Sequence, residues 1–245
     1  IFGHTPCETT GLPTPAEQQL LAPYAHDLPP GTLGPMTVPP NTNPPGSLRA
    51  NLLQARALLQ QAGWTVQGGV LRNAQGQALE LEYLDSNEGG LRVVAPWQRN
   101  LEKLGIRLRY RAVDFALYQQ RLQKFDFDIT SIAYQGTNNP GQELADLFGS
   151  QAADQEDSGN FPGVKNPAVD ALIDKIVTAR TQDELLPACH ALERVIAHGH
   201  YLIPQWYAST HRMAYNAWRL AMPSVLPPYS TGEDWVLQTW WSKKQ

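Results

Sequence analysis

Residues 79–112, with the sequence LELEYLDSNEGGLRVVAPWQRNLEKLGIRLRYRA, decide the fold class. Apolar side chains alternate with two glutamates over 79–83, and with three arginines over 106–112. A period of two predicts a half-buried strand at each end. Between these strands, leucine and valine recur at helical spacing, which predicts a helix over about 90–104. Strand, helix and strand form a βαβ unit, so we expect parallel strands and a right-handed crossover.

Further helices and strands surround this unit, and together they predict an α/β fold with a mixed sheet flanked by helices. Ser47 is a typical N-cap, and the helix after it should end at Gly63. The sequences Asn166-Pro167 and Thr181-Gln-Asp-Glu184 are typical helix starts. The other expected elements are a hairpin around Asn73–Gly76 joining strands at 70–71 and 79–84, a helix over 114–124, a strand over 128–133, an irregular loop over 134–166, and strands at 201–203 and 213–215.

The first 46 residues are rich in proline and poor in charge. They hold 11 of the 20 prolines, and their only charged side chains are Glu8, Glu17 and Asp27. Proline lacks an amide donor and fixes φ, so long helices and central strands are excluded. We expect an extended segment packed on a surface, with one helical turn at about Pro15–Ala22. A disordered linker is the alternative.

The composition is typical of a globular protein and excludes some functions. The chain has 245 residues and a net charge of −4, with 42% hydrophobic and 17% charged residues. Scattered basic residues argue against non-specific nucleic-acid binding. No apolar run approaches the roughly 18 residues of a membrane span. The chain begins at Ile1 rather than Met, as expected of a processed product or an internal fragment.

The sequence contains little that is typical of an enzyme, and we predict a protein without catalytic residues, cofactor or metal. It lacks a nucleophile elbow, a phosphate-binding glycine loop and a dinucleotide fingerprint. The pair His198-Gly-His200 has no nearby acidic ligand and does not share a helix face. Asp126 and Asp128 leave a hydrolase as an alternative. The two cysteines, Cys7 and Cys189, could form one disulfide, and their pairing is left open.

A polar loop is the best candidate for ligand binding. It comprises Tyr134, Gln135, Gly136, Thr137, Asn138 and Asn139. The loop follows a predicted strand, and ligands of open α/β sheets bind at the carboxyl ends of strands. Asn87 and Glu88 follow the strand over 79–84 and are expected to make secondary contacts. Neutral side chains and a glycine suit an extended peptide held through its main chain.

Several motifs together resemble those of family 5 extracellular solute-binding proteins, the peptide-binding components of ABC importers. The family resemblance is carried by Ala55-Arg-Ala-Leu-Leu-Gln-Gln-Ala-Gly-Trp64, Gly76-Gln-Ala-Leu-Glu-Leu81, Leu101-Glu-Lys-Leu-Gly-Ile106 and Phe125-Asp-Phe-Asp-Ile129. The resemblance to the Yej-type branch is carried by Pro140-Gly-Gln-Glu143, Phe148-Gly-Ser150, Asn166-Pro-Ala-Val-Asp-Ala-Leu-Ile173, Pro204-Gln-Trp-Tyr207, His211-Arg-Met-Ala-Tyr215 and Leu226-Pro-Pro-Tyr229.

The resemblance implies that the chain is the C-terminal half of a two-lobed periplasmic binding protein of type II, similar to cluster C. Residues 1–46 would be the crossover from the other lobe, 47–220 the ligand-binding lobe, and 221–245 a tryptophan-rich return segment. The family's acidic ligand contact falls at Thr137 or Asn138, which are both neutral. Anchoring of a peptide amino terminus at that position is therefore not expected.

The resemblance also implies a function and partners. We expect a monomer in the periplasm of a Gram-negative bacterium that binds oligopeptides, including peptide antibiotics such as microcin C. It would deliver them to an inner-membrane ABC permease. The alternatives are another solute on the same fold (a nickel complex, heme or a sugar) and a module that recruits partners through the tryptophan-rich tail.

Overall fold

The computed structural model describes residues 1–3, 5–134, 139–206, 213–225 and 232–243, with only the backbone of 232–234. The chain divides into two compact units, Ile1–Leu202 and Ile203–Gln245. The predicted boundaries after residues 46 and 220 concern the lobes of a longer protein and stay predictions.

The helices and strands are numbered here in chain order. The α-helices are α1 (Pro15–Leu21), α2 (Leu48–Gln61), α3 (Leu91–Glu102), α4 (Phe115–Gln123), α5 (Glu143–Phe148), α6 (Pro167–Thr178), α7 (Gln182–His198) and α8 (Gly232–Thr239). The strands are β1 (Thr65–Gln67), β2 (Val70–Arg72), β3 (Glu80–Asp85), β4 (Arg107–Ala112), β5 (Ile129–Thr130), β6 (Leu220–Ala221) and β7 (Trp241–Ser242).

A parallel sheet in the order β4-β3-β5 forms the centre of one half of the first unit. Glu80 of β3 lies opposite Arg107 of β4, and the register continues to Asp85 opposite Ala112. The helix α3 connects the two strands and packs on one face of the sheet, where Val94 and Leu108 are buried. The predicted βαβ unit with parallel strands is confirmed.

Antiparallel pairing occurs in separate two-stranded sheets, β1 with β2 and β6 with β7. The predicted turn around Asn73–Gly76 is present, with an antiparallel bridge between Arg72 and Ala78 and a hydrogen bond from the Leu79 amide to the Leu71 carbonyl. The strand that pairs with β2 over its length is β1, however, across Gly68-Gly69. The adjacent glycines, both with positive φ, make the tighter turn.

The helix starts follow the sequence signals. Ser47 Oγ accepts the amide of Ala50 at 3.1 Å and caps α2. Thr181 Oγ1 accepts the amide of Glu184 at the start of α7, and Glu184 Oε2 accepts the amide of Arg180. Each side chain satisfies a donor that the first helical turn cannot pair.

The second half of this unit is a helical layer in which α1, α5, α6 and α7 enclose a larger core. Its buried members include Leu144, Phe148, Leu172 and Leu192. The prediction of an irregular loop over 134–166 is therefore wrong, because α5 and a 3₁₀ turn at Ala152–Asp154 lie within it. α5 has six residues, which is too short for a helical period to be recognised in the sequence.

Three further strand predictions are wrong or too long. Residues 201–203 and 213–215 are not strands, because such short apolar runs form strands only where an edge is available for pairing. The strand expected over 128–133 is reduced to Ile129–Thr130.

The proline-rich segment, residues 1–46, packs on the helical layer instead of forming a disordered linker. Phe2, Cys7 and Leu21 are buried in the core, whereas Leu33 is exposed. The predicted helical turn is present as α1, followed by a 3₁₀ turn at Ala22–Tyr24.

The second unit contains the β6–β7 pair and α8. Within it, the ring of Trp240 contacts Tyr215 at 4.7 Å and Trp235 at 5.5 Å between centroids. Trp218 is exposed. Among the described residues, none of the helices has the length and apolar character needed to cross a membrane.

Candidate functional site

The carboxyl edge of the parallel sheet is the place where the predicted ligand contacts should meet. The central strand β3 pairs with β5, so their carboxyl ends are neighbours. Asn87 and Glu88 follow β3, and Tyr134 lies four residues after β5. Gln135, Gly136, Thr137 and Asn138 lie outside the described residues, and Asn139 is exposed. The eight predicted contacts therefore stay predictions.

The turn after β3 is organised by its own polar side chains. Asp85 Oδ1 accepts the amide of Asn87 at 3.1 Å, and Asn87 Oδ1 accepts the amide of Gly89 at 2.7 Å. These bonds form a 3₁₀ turn at Glu88–Gly90 that leads into α3. Asn87 and Glu88 are exposed on it. Among the described residues, neither the Asn87 amide nitrogen nor the Glu88 carboxylate has a hydrogen-bond partner.

Two residues of this turn were not predicted from the sequence. The Tyr110 hydroxyl, from β4, lies 2.6 Å from Asp85 Oδ2 and also donates to the carbonyl of Asn87. Burial, and then the hydrogen bond to Asp85, raises the pKa of Tyr110. The hydroxyl therefore stays protonated and ties the turn to the adjacent strand. An aspartate two residues before an asparagine at a strand end is a signal that could have indicated this turn.

Gly90 is required by the close approach of this network. A Cβ at residue 90 would overlap with the carboxylate of Asp85 and the hydroxyl of Tyr110. The absence of a side chain lets α3 begin directly beside the turn, and this fixes the direction in which residues 87 and 88 face solvent.

Tyr134 belongs to the helical layer rather than to the turn. Its ring lies 5.6 Å from the ring of Phe148, and it packs against the larger core. The hydroxyl is buried and has no hydrogen-bond partner in the described part of the chain. Burial raises the pKa of Tyr134 to about 12. Tyr134 is thus the first residue of the predicted loop, and its own hydroxyl is the buried polar atom.

The arginine row of β4 is matched by acidic residues of β3. Arg107 lies 3.0 Å from Glu80, and Arg111 lies 3.7 Å from Glu82. All three arginine side chains of the row are more than half exposed. Exposed, paired side chains of this kind are typical of a solvated strand face.

The residues of the hydrolase and metal alternatives have structural partners. Asp126 pairs with Arg121 at 2.8 Å, and Asp128 Oδ2 accepts the amide of Glu82 at 2.8 Å. The buried ring of His198 lies between the carbonyls of Arg194 and Pro35, at 2.9 and 3.2 Å. In the described ranges, no group of three His, Cys, Asp or Glu side chains is arranged to hold a metal ion.

Comparison with known proteins gives a consistent family. A family model described as bacterial extracellular solute-binding proteins, family 5 Middle, matches residues 20–156, more than half of the chain. The probable peptide-binding protein YejA of Agrobacterium fabrum is 39% identical over 238 residues, covering 96% of this chain and 38% of its own length. YejA of Escherichia coli is 34% identical over 243 residues, covering 98% and 39% respectively. The chain therefore spans less than two fifths of these relatives.

Solved structures share the fold at low sequence identity. The oligopeptide-binding protein AppA of Bacillus subtilis, in complex with a nonapeptide, has a TM-score of 0.53 and 16% identity over 76% of this chain and 38% of its own. A periplasmic oligopeptide-binding protein of Thermotoga maritima with bound mannohexaose gives 0.56 and 16% over 78% and 39%. NikZ of Campylobacter jejuni with Ni(L-His) gives 0.54 and 15% over 76% and 38%. The predicted α/β fold class of type II periplasmic binding proteins is confirmed.

Proposed function

Because this chain belongs to family 5 of the bacterial extracellular solute-binding proteins, we propose that it is the C-terminal part of an oligopeptide receptor for an ABC importer. The receptor acts in the periplasm of a Gram-negative bacterium as a monomer. It binds peptides, with microcin C-type antibiotics among the candidates, and presents them to an inner-membrane permease. It carries out no bond chemistry and uses no cofactor.

The observation that supports peptide binding best is the exposed turn at the carboxyl edge of β3. The Asn87 amide and the Glu88 carboxylate project from a turn that Asp85 and Tyr110 hold rigid. The Asn87 amide is oriented by the hydrogen bond that its Oδ1 accepts from Gly89, so it can donate to a peptide main chain at little cost in side-chain entropy. The exposed Glu88 carboxylate is an acceptor for the amino terminus of a peptide. The relatives named as peptide-binding support the same ligand class.

Glu88 is the acidic residue of the proposed site. Of the eight proposed contacts, residues 134–139 are neutral, and Glu88 alone carries a charge. We propose that Glu88 attracts the peptide amino terminus, in place of the acidic residue missing at Thr137 and Asn138. An exposed ion pair contributes about 0.2–1 kcal/mol, which corresponds to at most about a fivefold change in affinity.

The test uses the complete protein and a peptide mixture. We expect native mass spectrometry of gently purified protein to show retained or captured peptides, whose sequences then define the selectivity. Protein that captures no peptide contradicts the proposal. Metal complexes, heme and sugars would then be tested on the same sample, because structures of this fold with mannohexaose and with Ni(L-His) exist.

A charge substitution tests the site itself. Glu88→Gln should weaken binding of a captured peptide about two- to fivefold and leave binding of its N-acetylated form unchanged, measured by isothermal titration calorimetry. Glu102→Gln is the matched control, because Glu102 is exposed at the opposite end of α3. Equal losses for both peptide forms, or for both variants, would contradict the role of Glu88.

A further inference from the structure

One face of α7 forms hydrogen bonds along its length with the proline-rich segment, residues 1–46. The face carries Cys189, His190, Glu193, Arg194 and His198, which recur at helical spacing. Since most of these side chains are polar and lie within a core, each needs a partner. The partners come from the main chain and side chains of the segment.

Glu193 and His190 hold the segment on both sides of residue 7. Glu193 Oε1 accepts the main-chain nitrogen of Phe2 at 3.0 Å, and Oε2 accepts that of Thr9 at 2.7 Å. The His190 ring lies 3.0 Å from the carbonyl of Pro6. Residues 2, 6 and 9 are thereby fixed to α7, so Cys7 has a defined position next to it.

Cys7 and Cys189 meet in this position. Both side chains are fully buried in the same core, and the two thiols form a hydrogen bond with each other. That hydrogen bond lowers the pKa of Cys7 and raises the pKa of Cys189, and burial also raises the pKa of Cys189. A disulfide is attacked by a thiolate, so oxidation of the pair begins when one of its two thiols loses its proton.

We propose that Cys7 and Cys189 form a disulfide that joins the proline-rich segment covalently to α7. Oxidation takes place while the pair is accessible, before the segment closes on α7 or when it opens locally. One cysteine thiolate then attacks a disulfide of the oxidant, either a glutathione-type or a protein disulfide, and displaces one oxidant thiolate. The thiolate of the other cysteine attacks this mixed disulfide and releases the second oxidant thiolate. Two protons and two electrons leave the cysteines, and the oxidant disulfide is reduced to two thiols.

In the cell this inference rests on the proposed function, because stable disulfides need an oxidising compartment such as the periplasm. The bond would close a loop of about 180 residues, which strongly lowers the conformational entropy of the unfolded chain. It also keeps the segment on α7 while the rest of the protein moves around a ligand. We expect the oxidised protein to melt about 5–10 °C above the reduced protein.

The test is a non-reducing peptide map of the complete protein, purified without reductant and treated with oxidised glutathione. With trypsin, the first cleavage site after Cys7 is Arg49, and Cys189 lies in the peptide Thr181–Arg194. We expect these two peptides to be joined, with the loss of two hydrogen atoms. Both thiols alkylated in denaturant without reduction, or each carrying glutathione, would overturn the proposal.

Two variants make the result specific. Cys7→Ala and Cys189→Ala should each abolish the joined peptide and the dependence of the melting temperature on oxidant. If a variant fails to fold, the map of the unaltered protein still decides the matter. Peptide capture is measured on the same samples. Capture without a joined peptide refutes the disulfide alone, and a joined peptide without capture refutes the receptor function alone.

Discussion

The guanidinium of Arg194 donates five hydrogen bonds in the interior, and our first prediction concerns the effect of removing it. Its side chain is fully buried on α7. Nε donates to Glu17 Oε2 at 2.6 Å. The other nitrogens donate at 3.1–3.3 Å to the acceptors of the proline-rich segment, which are the carbonyls of Gly11, Thr10 and Gly34 and the hydroxyl of Thr9.

The substitution Arg194→Met retains most of the apolar stem and removes all five hydrogen bonds. Among the described residues, the Glu17 carboxylate then keeps Thr14, at 3.0 Å, and His190, at 3.6 Å. Breaking a buried ion pair by removing one partner costs about 3–5 kcal/mol, because the other charge is left buried. Each tenfold change in an equilibrium constant corresponds to about 1.4 kcal/mol. Opening of the segment should therefore become about 10²–10⁴ times more frequent.

Hydrogen–deuterium exchange measures this directly in the complete protein. Amides of residues 9–36 should exchange about two to four orders of magnitude faster in Arg194→Met, because their protection depends on the segment staying closed. Arg56→Met is the matched control, since Arg56 is exposed on α2. It should leave the exchange of the segment unchanged.

A double variant separates the ion pair from general packing damage. Adding Glu17→Leu to Arg194→Met removes the unpaired buried carboxylate, so the double variant should recover about 1–3 kcal/mol relative to the single one. If Arg194→Met leaves the exchange of residues 9–36 within a factor of three of the unaltered protein, the reasoning is refuted. Simple addition of the two single effects would refute the coupling.

Two further predictions concern Tyr134, which packs on the helical layer, and Gly90, which lies at the edge of the sheet. Tyr134→Phe removes a buried hydroxyl without a partner in the described residues, so stability at pH 7 should stay equal or rise by about 1 kcal/mol in urea denaturation. The pKa of Tyr134 is about 12 in the folded protein and about 10 in the unfolded chain, so the unaltered protein should lose stability as the pH rises from 10 to 12. This loss should be smaller in Tyr134→Phe, and parallel pH profiles of the two proteins would contradict the prediction. Gly90→Ala should cost about 1–3 kcal/mol and lower the peptide affinity, since its Cβ overlaps with Asp85, whereas Gly141→Ala meets Glu143 only at contact distance and should be neutral. Equal effects of the two alanines would contradict the close approach at residue 90.

The extent to which the site could be predicted differs between its parts. The position of Asn87 after a buried strand follows from alternation and from the rule that ligands lie at carboxyl ends. The role of Tyr110 could not be predicted, because its hydroxyl bonds to a strand that is 25 residues away in sequence. The burial of Tyr134 depends on Phe148 in α5, a helix of six residues that is too short to be recognised from its period.

The same division holds for the proline-rich segment. Frequent prolines exclude long helices and strands, and a threonine before Pro15 marks the start of α1. The local conformation of the segment can therefore be predicted from its residues. Its partner on α7 is not readable, because Cys189, Glu193 and Arg194 lie more than 170 positions from Cys7, Thr9 and Glu17 in sequence.

The amino-acid sequence by itself determined the α/β class, the parallel βαβ unit and the starts of the capped helices α2, α6 and α7. These depend on local periodicity and on caps within a few residues. The tertiary structure alone decided which polar groups share a hydrogen bond, that the two cysteines meet, and that the arginine row of β4 is neutralised by β3. Such contacts are set by the packing of elements distant in the chain, where burial obliges each polar group to find a partner that no local pattern specifies.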